Sequence, residues 1–141
     1  MMADIAIADF GTGNLHSVCN AFEALSSKLR VVATRSAADI RAAGRLVLPG
    51  QGAIGTFMGE LADDEIRSAL EQALSRKPVL GICLGLQAMY ASSEEDGGVQ
   101  CLGVLAGRVR RFNSDWTDAG RRIKIPPVSY THLTLPTKRI V

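Results

Sequence analysis

The ten residues from 78 to 87, Pro-Val-Leu-Gly-Ile-Cys-Leu-Gly-Leu-Gln, constrain the fold of this chain more than any other stretch. The apolar run 79–82 predicts a short buried strand, and the Gly-x-Cys-x-Gly pattern around Cys83 predicts a sharp turn into a helix. Such a turn exposes its central side chain at a helix N-terminus, where the partial positive charge favours a thiolate. Cys83 is therefore a candidate catalytic nucleophile, with a buried structural cysteine as the alternative. Gln87, one helical turn further on, favours the catalytic interpretation.

The composition narrows the classes of protein to which the chain can belong. Its 141 residues are 47% hydrophobic and 21% charged, which is typical of a single globular domain. The net charge of +2 argues against a nucleic-acid or membrane partner. No apolar run approaches the roughly 18 residues that span a bilayer, and the N-terminus lacks signal-peptide features, so we expect a cytoplasmic protein. The three cysteines are an odd number without C-x-x-C spacing, which argues against a disulfide framework and a zinc site. We expect no metal and no cofactor.

Short apolar strands alternate with amphipathic helices along the chain. This β-α-β order predicts an α/β fold, a mostly parallel sheet with helices on both faces. The segment 92–98 is predicted to be a polar loop whose carboxylates are solvated, and 102–112 a strand pair or a bent strand broken at Gly107. The predicted strands cover residues 5–8, 30–33, 46–48 and 79–82, and the predicted helices cover residues 15–25, 37–43 and 63 onward.

Three unusual loops follow predicted strands directly. They are residues 9–14, the glycine-containing loop 49–53, and the turn at Cys83. In parallel sheets the ligand lies beyond the carboxyl ends of the strands, so these loops should meet at one edge. The first loop lacks the third glycine of a dinucleotide-binding motif, which argues against that function.

Taken together, three motifs resemble those of class I (triad-type) glutamine amidotransferases. They are Asp-Phe-Gly-x-Gly-Asn-Leu at 9–15, Leu-Pro-Gly-x-Gly-Ala at 48–53, and Gly-Ile-Cys-Leu-Gly-x-Gln at 81–87. The resemblance covers residues 3–126 and implies a flavodoxin-like fold. It also implies hydrolysis of glutamine to glutamate and ammonia. The expected domain is therefore a glutamine amidotransferase domain over residues 1–126.

The same resemblance assigns roles to individual residues. It implies that Cys83 is the catalytic nucleophile and that Gly50, Gly52, Leu84 and Gln87 bind the substrate. Backbone N–H groups around Gly52 and of Leu84 would stabilise the oxyanion, and Gln87 would help to hold the substrate glutamine.

Within the family, the opening motif and the segments 107–112 and 121–126 are most similar to the histidine-pathway branch. That similarity implies a (β/α)₈ cyclase partner, which receives the ammonia for reaction with a phosphorylated ribonucleotide. One alternative is another triad amidotransferase, serving anthranilate, purine or pyridoxal phosphate synthesis. A second alternative is a non-catalytic, flavodoxin-like subunit.

The sequence departs from the family pattern after Pro126. The family's His-Pro-Glu motif, which supplies a base and its orienting carboxylate, does not occur, and the only histidines are His16 and His132. Our hypothesis is that 127–141 is a non-native tail, resembling a translated sequencing adapter, and that the C-terminal part of the domain is missing. The alternative is a divergent native tail with His132 as a replacement base, which is disfavoured because no Glu or Asp follows His132 to orient it. We therefore expect an inactive polypeptide with an exposed sheet edge.

Overall fold

The computed structural model describes residues 2–11, 14–112 and 115–122. The chain divides into two compact units, residues 1–110 and 111–141. The predicted tail 127–141, with its histidine, lies outside the described residues.

A four-stranded parallel sheet forms the centre of the first unit. Its strand order is β2-β1-β3-β4, and every neighbouring pair runs parallel. The strands are β1 (Ile5–Ala8), β2 (Val31–Thr34), β3 (Arg45–Gly50) and β4 (Val79–Cys83). Each of the four predicted strands is present, because short apolar runs of this kind can bury both faces of a parallel sheet.

The described residues of the same unit form five α-helices: α1 (Leu15–Glu23), α2 (Ala37–Ala42), α3 (Ile54–Glu60), α4 (Asp64–Arg76) and α5 (Leu84–Gln87). Side chains at the N-cap positions cap three of them. Asn14 caps α1, Ser36 caps α2, and Asp63 caps α4 by accepting from two backbone N–H groups at 3.0 Å. Helix α3 was not predicted, and no side chain at its own N-cap position bonds to it.

Successive side chains along each strand point to opposite faces of the sheet, so the apolar residues form two clusters, one on each face. Ala6, Ala8, Leu46 and Leu48 belong to the larger cluster, which also contains buried residues of α2, α3 and α4. The side chains of Ile5, Ile7 and Val47 form the smaller cluster, against which the half-buried apolar residues of α1 pack. The expected α/β fold with helices on both faces is confirmed. The predicted stripe of α1 is shorter than expected, because the helix ends before Leu25, which is 73% exposed.

A second, three-stranded sheet corrects two predictions. It contains β5 (Tyr90–Ser93), β6 (Val99–Gln100) and β7 (Leu105–Val109) in the order β6-β5-β7. Strand β5 takes in the first two residues of the predicted polar loop, and its pairing with both neighbours outweighs their polar character. Strand β7 continues through Gly107 without a break, because the pairing with β5 shifts there and the positive φ of 107° accommodates the extra residue.

The second unit contains a small hairpin within its described residues. Strands β8 (Thr117–Asp118) and β9 (Arg121–Arg122) pair antiparallel, and Arg122 donates a hydrogen bond to Asp115 at 2.9 Å. Phe112 and Trp116 form an edge-to-face ring pair with centroids 6.0 Å apart.

Strand β4 forms one edge of the four-stranded sheet. Within the described residues it pairs with β3 alone, and Leu80 is 46% exposed. No helix in the described part of the chain is long and apolar enough to cross a membrane.

Candidate active site

Cys83 lies at the junction between β4 and α5, in a strained backbone conformation. Its φ of 53° and ψ of −112° fall outside the regions that non-glycine residues ordinarily occupy. The strand ends at Cys83 and the helix begins at the next residue, so the predicted strand–turn–helix is confirmed. The residue is half-buried rather than enclosed in the core. Strain of this kind is maintained only where the surrounding structure enforces it.

The two glycines that flank Cys83 enforce this turn by permitting close backbone packing. A Cβ atom on Gly81 would lie 2.7 Å from Leu86 Cα, inside the turn itself. A Cβ atom on Gly85 would overlap the carbonyl oxygen of Leu48 on the neighbouring strand and lie 2.7 Å from its carbonyl carbon. The motif therefore allows α5 to fold back tightly against β4 and β3.

The glycine-containing loop that follows β3 lies beside the same turn. Gly50 is buried and is the register partner of Cys83 across the β3–β4 pair. A Cβ on Gly50 would lie 2.7 Å from the Phe57 ring and 2.9 Å from Leu84 Cβ, so only glycine fits. Gly52 is exposed with a φ of 95°, and nothing lies within 4 Å of its Cβ position, so backbone conformation rather than space favours glycine there.

Helix α5 carries the two remaining predicted substrate-binding residues. Leu84 is its first residue, with a side chain only 4% exposed, and Gln87 is its last residue and is half-buried. Backbone N–H groups in the first turn of a helix have no acceptor within that helix. The backbone of Leu84 lies directly after Cys83, at the start of α5.

The loop after β1 reaches the same edge of the sheet. Asp9 Oδ1 accepts a hydrogen bond from Gly11 N at 3.0 Å, and Gly11 adopts a φ of 73°. Residues 12 and 13 lie outside the described residues. Since β1, β3 and β4 are neighbours in parallel register, their carboxyl ends and the loops that follow them lie at one edge, as predicted.

Cys19, Cys101 and His16 belong to none of the three loops that form the candidate site. Burial raises the pKa of the Cys19 thiol, with a further contribution from Glu23, and burial also raises the pKa of Cys101. His16 is exposed on α1, as a surface histidine should be. The described residues contain no group of three histidine, cysteine, aspartate or glutamate side chains that could hold a metal ion.

Sequence reasoning missed one contact at the site. Asp96 Oδ2 accepts a hydrogen bond from the backbone N–H of Gly55, in the first turn of α3, at 3.0 Å. The residues 94–96 are exposed as expected, yet this carboxylate is bound to the helix that follows the glycine-containing loop. The two residues are 41 positions apart, so no local signal could have revealed the contact.

Comparison with known proteins decides the family. The model of the family "Glutamine amidotransferase class-I" matches residues 6–125. The chain belongs to the class-I glutamine amidotransferase family. The match extends over the parallel sheet, the Cys83 turn and the second sheet, so this amidotransferase domain includes every candidate site residue named above.

Curated relatives of this amidotransferase include proteins named imidazole glycerol phosphate synthase subunit HisH. The protein from Methylococcus capsulatus is 40% identical over 133 residues, covering 94% of this chain and 61% of the relative. The protein from Nitrosococcus oceani is 43% identical over 129 residues, covering 92% of this chain and 60% of the relative. The chain thus spans about three fifths of the length of these relatives.

Proposed function

We propose that this chain is the nucleophile-bearing part of a glutaminase subunit, which hydrolyses glutamine to glutamate and ammonia. The observation that carries the proposal is the strained turn at Cys83, whose register partner on β3 is Gly50 of the glycine-containing loop. A half-buried thiol at the start of a helix and next to such a loop is suited to acyl transfer, which needs a nucleophile and an oxyanion site together.

The reaction proceeds through a covalent intermediate on Cys83. The thiolate attacks the side-chain amide carbon of glutamine, and the carbonyl electron pair moves onto oxygen. N–H groups around Gly52 and of Leu84 stabilise that oxyanion, where one such donor is worth about 3 kcal/mol. The C–N bond then breaks, the protonated nitrogen leaves as ammonia, and water opens the glutamyl thioester to glutamate. Gly50 allows the loop to approach Cys83, and Gln87 helps to hold the substrate.

Proton transfer requires a base that these elements do not provide. A triad uses histidine to take the thiol proton and a carboxylate to orient that histidine, and no His-Pro-Glu motif occurs in the 141 residues. We therefore expect no glutamine hydrolysis by the 141-residue polypeptide, since loss of the base from a triad costs orders of magnitude in rate. Hydrolysis that Cys83→Ala abolishes would contradict this expectation.

The partner we propose is the cyclase subunit of imidazole glycerol phosphate synthase, a (β/α)₈ barrel, in a cytoplasmic heterodimer serving histidine biosynthesis. The support is the name of three curated relatives, imidazole glycerol phosphate synthase subunit HisH, at 40–43% identity over most of this chain. Co-purification with that cyclase, and not with an anthranilate synthase large subunit, is the expected result. The reverse preference would assign the chain to another branch of the family.

An electrophilic analogue of glutamine, 6-diazo-5-oxo-L-norleucine, tests the glutaminase proposal on the chain as it exists. We expect one modified residue, Cys83, and protection by L-glutamine but not by D-glutamine. Cys19 and Cys101 provide internal controls, because burial raises the pKa of each thiol and lowers its thiolate fraction. Equal modification of the three thiols, or labelling unaffected by L-glutamine, would refute the proposal.

We also propose that native amidotransferase sequence ends near residue 126 and that 127–141 is a non-native tail. The support is the sequence Val-Ser-Tyr-Thr-His-Leu-Thr-Leu-Pro-Thr, which resembles a translated adapter. Reading the codons for residues 127–137 is the test. Codons unrelated to the adapter would refute the proposal that the tail is non-native.

A further inference from the structure

The Asp96 carboxylate supplies a helix cap that the local sequence lacks. Helix α3 begins after Ala53, whose methyl side chain cannot accept a hydrogen bond, and no side chain at the N-cap position bonds to the helix. The N–H of Gly55 instead donates to Asp96 Oδ2 at 3.0 Å. A carboxylate at this position satisfies an N–H without a partner in the helix and complements the positive end of the helix dipole.

Both ends of this contact have backbones suited to it. A Cβ on Gly55 would lie 2.9 Å from Asp96 Oδ2, so a side chain at that position would displace the carboxylate. Asp96 adopts a φ of 53° and a ψ of 30° inside the short 3₁₀ turn Glu95–Gly97. Aspartate and asparagine tolerate this left-handed conformation better than most residues do.

Residues 50–53 of the glycine-containing loop run from the last residue of β3 to the start of this capped helix, and form the loop 50–53. At its start, Gly50 is fixed by its pairing with Cys83. In its middle, Gly52 has no neighbouring atom within 4 Å of its Cβ position, so side-chain packing does not determine its conformation. The conformation of the loop is therefore determined by the two elements that it joins, and the second of these is the first turn of α3.

We propose that Asp96 is a positioning residue, which holds the loop 50–53 against the Cys83 turn by fixing the start of α3. Its consequence for catalysis rests on the proposed glutaminase function. When the carboxylate is removed, the start of α3 is less firmly fixed, and the N–H groups around Gly52 become less suited to stabilising the oxyanion. The Cys83 turn itself, which is enforced by Gly81 and Gly85, remains unchanged.

Three variants of the 141-residue chain test this proposal: Asp96→Ala, Asp96→Asn and Asp63→Ala. Asparagine keeps an oxygen acceptor and the left-handed conformation, so it should restore the contact. The Asp63→Ala change removes an equivalent cap from α4 and serves as the matched control. Two quantities are measured for each variant. They are amide hydrogen exchange over residues 52–57, and the ratio of the Cys83 alkylation rates with 6-diazo-5-oxo-L-norleucine and with iodoacetamide.

We expect Asp96→Ala to speed exchange over 52–57 by about fivefold, as loss of one helix cap predicts, and to lower the alkylation ratio by a similar factor. Asp96→Asn should change each by less than about twofold, and Asp63→Ala should affect exchange in α4 alone. Unchanged exchange in Asp96→Ala, equal disruption by Asp96→Asn, or the same loop response to Asp63→Ala would overturn the proposal. If Asp96→Ala does not fold, Asp96→Gly removes the same carboxylate, tolerates the positive φ and is measured instead. Absence of Cys83 labelling in the unaltered chain would refute the glutaminase function, while hydrogen exchange would still decide the role of Asp96.

Discussion

Replacing a single hydrogen by a methyl group at Gly85 should destabilise the chain strongly. The new Cβ would overlap the Leu48 carbonyl oxygen and lie 2.7 Å from its carbonyl carbon. Ordinary contact at that carbon requires about 3.4 Å, so the two backbones must separate by at least ~0.7 Å. Both groups are buried and belong to regular backbone, so neither can rotate away. Overpacking of a well-packed core costs about 1–3 kcal/mol, and for Gly85→Ala we expect the upper end, ~3 kcal/mol.

Gly59→Ala is the matched control for this substitution. Gly59 is exposed in α3, and nothing lies within 4 Å of its Cβ position. Alanine in a helix is more stable than glycine by roughly 0.5–1 kcal/mol, so this variant should gain stability.

Urea denaturation followed by circular dichroism measures both effects. We expect a lower midpoint for Gly85→Ala and a higher midpoint for Gly59→Ala, each with an unchanged m-value. A cost below ~0.5 kcal/mol for Gly85→Ala would refute the reasoning, because it would mean that α5 does not pack on the Leu48 backbone as described.

Two further predictions concern charged side chains. Lys77 Nζ donates to the carbonyl oxygens of Ile40, Arg41 and Ala43 at the end of α2 at 2.6–2.9 Å, while burial lowers the pKa of the ammonium group. Lys77→Met should therefore lower the free energy of unfolding in urea by about 2 kcal/mol, and an unchanged value would contradict it. Hydrogen bonds from Arg30 lower the pKa of Asp4 below 3.8, so the folded state binds its proton less tightly than the unfolded state does. This carboxylate therefore stabilises the folded state above pH 3.8, and its contribution is lost as the pH falls through the folded-state pKa. Asp4→Asn should remove that part of the pH dependence of the free energy of unfolding. Identical plots of that free energy against pH for the two chains would refute the prediction.

The four strands of the parallel sheet and most of the helices could be predicted because their signals are local. Apolar runs of four to six residues, each followed by an amphipathic segment, are sufficient to indicate a parallel α/β sheet. Asp63 illustrates the point, since its side chain caps the helix that begins at the next residue. The Cys83 turn was predictable for the same reason, because its two flanking glycines lie within two residues of it.

Elements held by distant contacts could not be predicted in this way. Helix α3 is only seven residues long, contains two glycines and takes its cap from Asp96, so it has no start signal of its own. Strand β5 is polar in two of its four positions and exists because β6 and β7 pair with it. Neither partner is apparent from the residues of the element itself.

The sequence alone determined the order of the elements, the sharp turn at Cys83 and the edge at which the candidate site lies, because each depends on residues close together in the chain. Only the tertiary structure decided why glycine is required at positions 50 and 85, since the atoms that a side chain would meet belong to Phe57, Leu84 and Leu48. It also decided that a carboxylate far along the chain fixes the helix after the glycine-containing loop. The hydrogen bond between Gly55 and Asp96 joins residues 41 positions apart, so it depends on how the chain packs and cannot be predicted from local propensity.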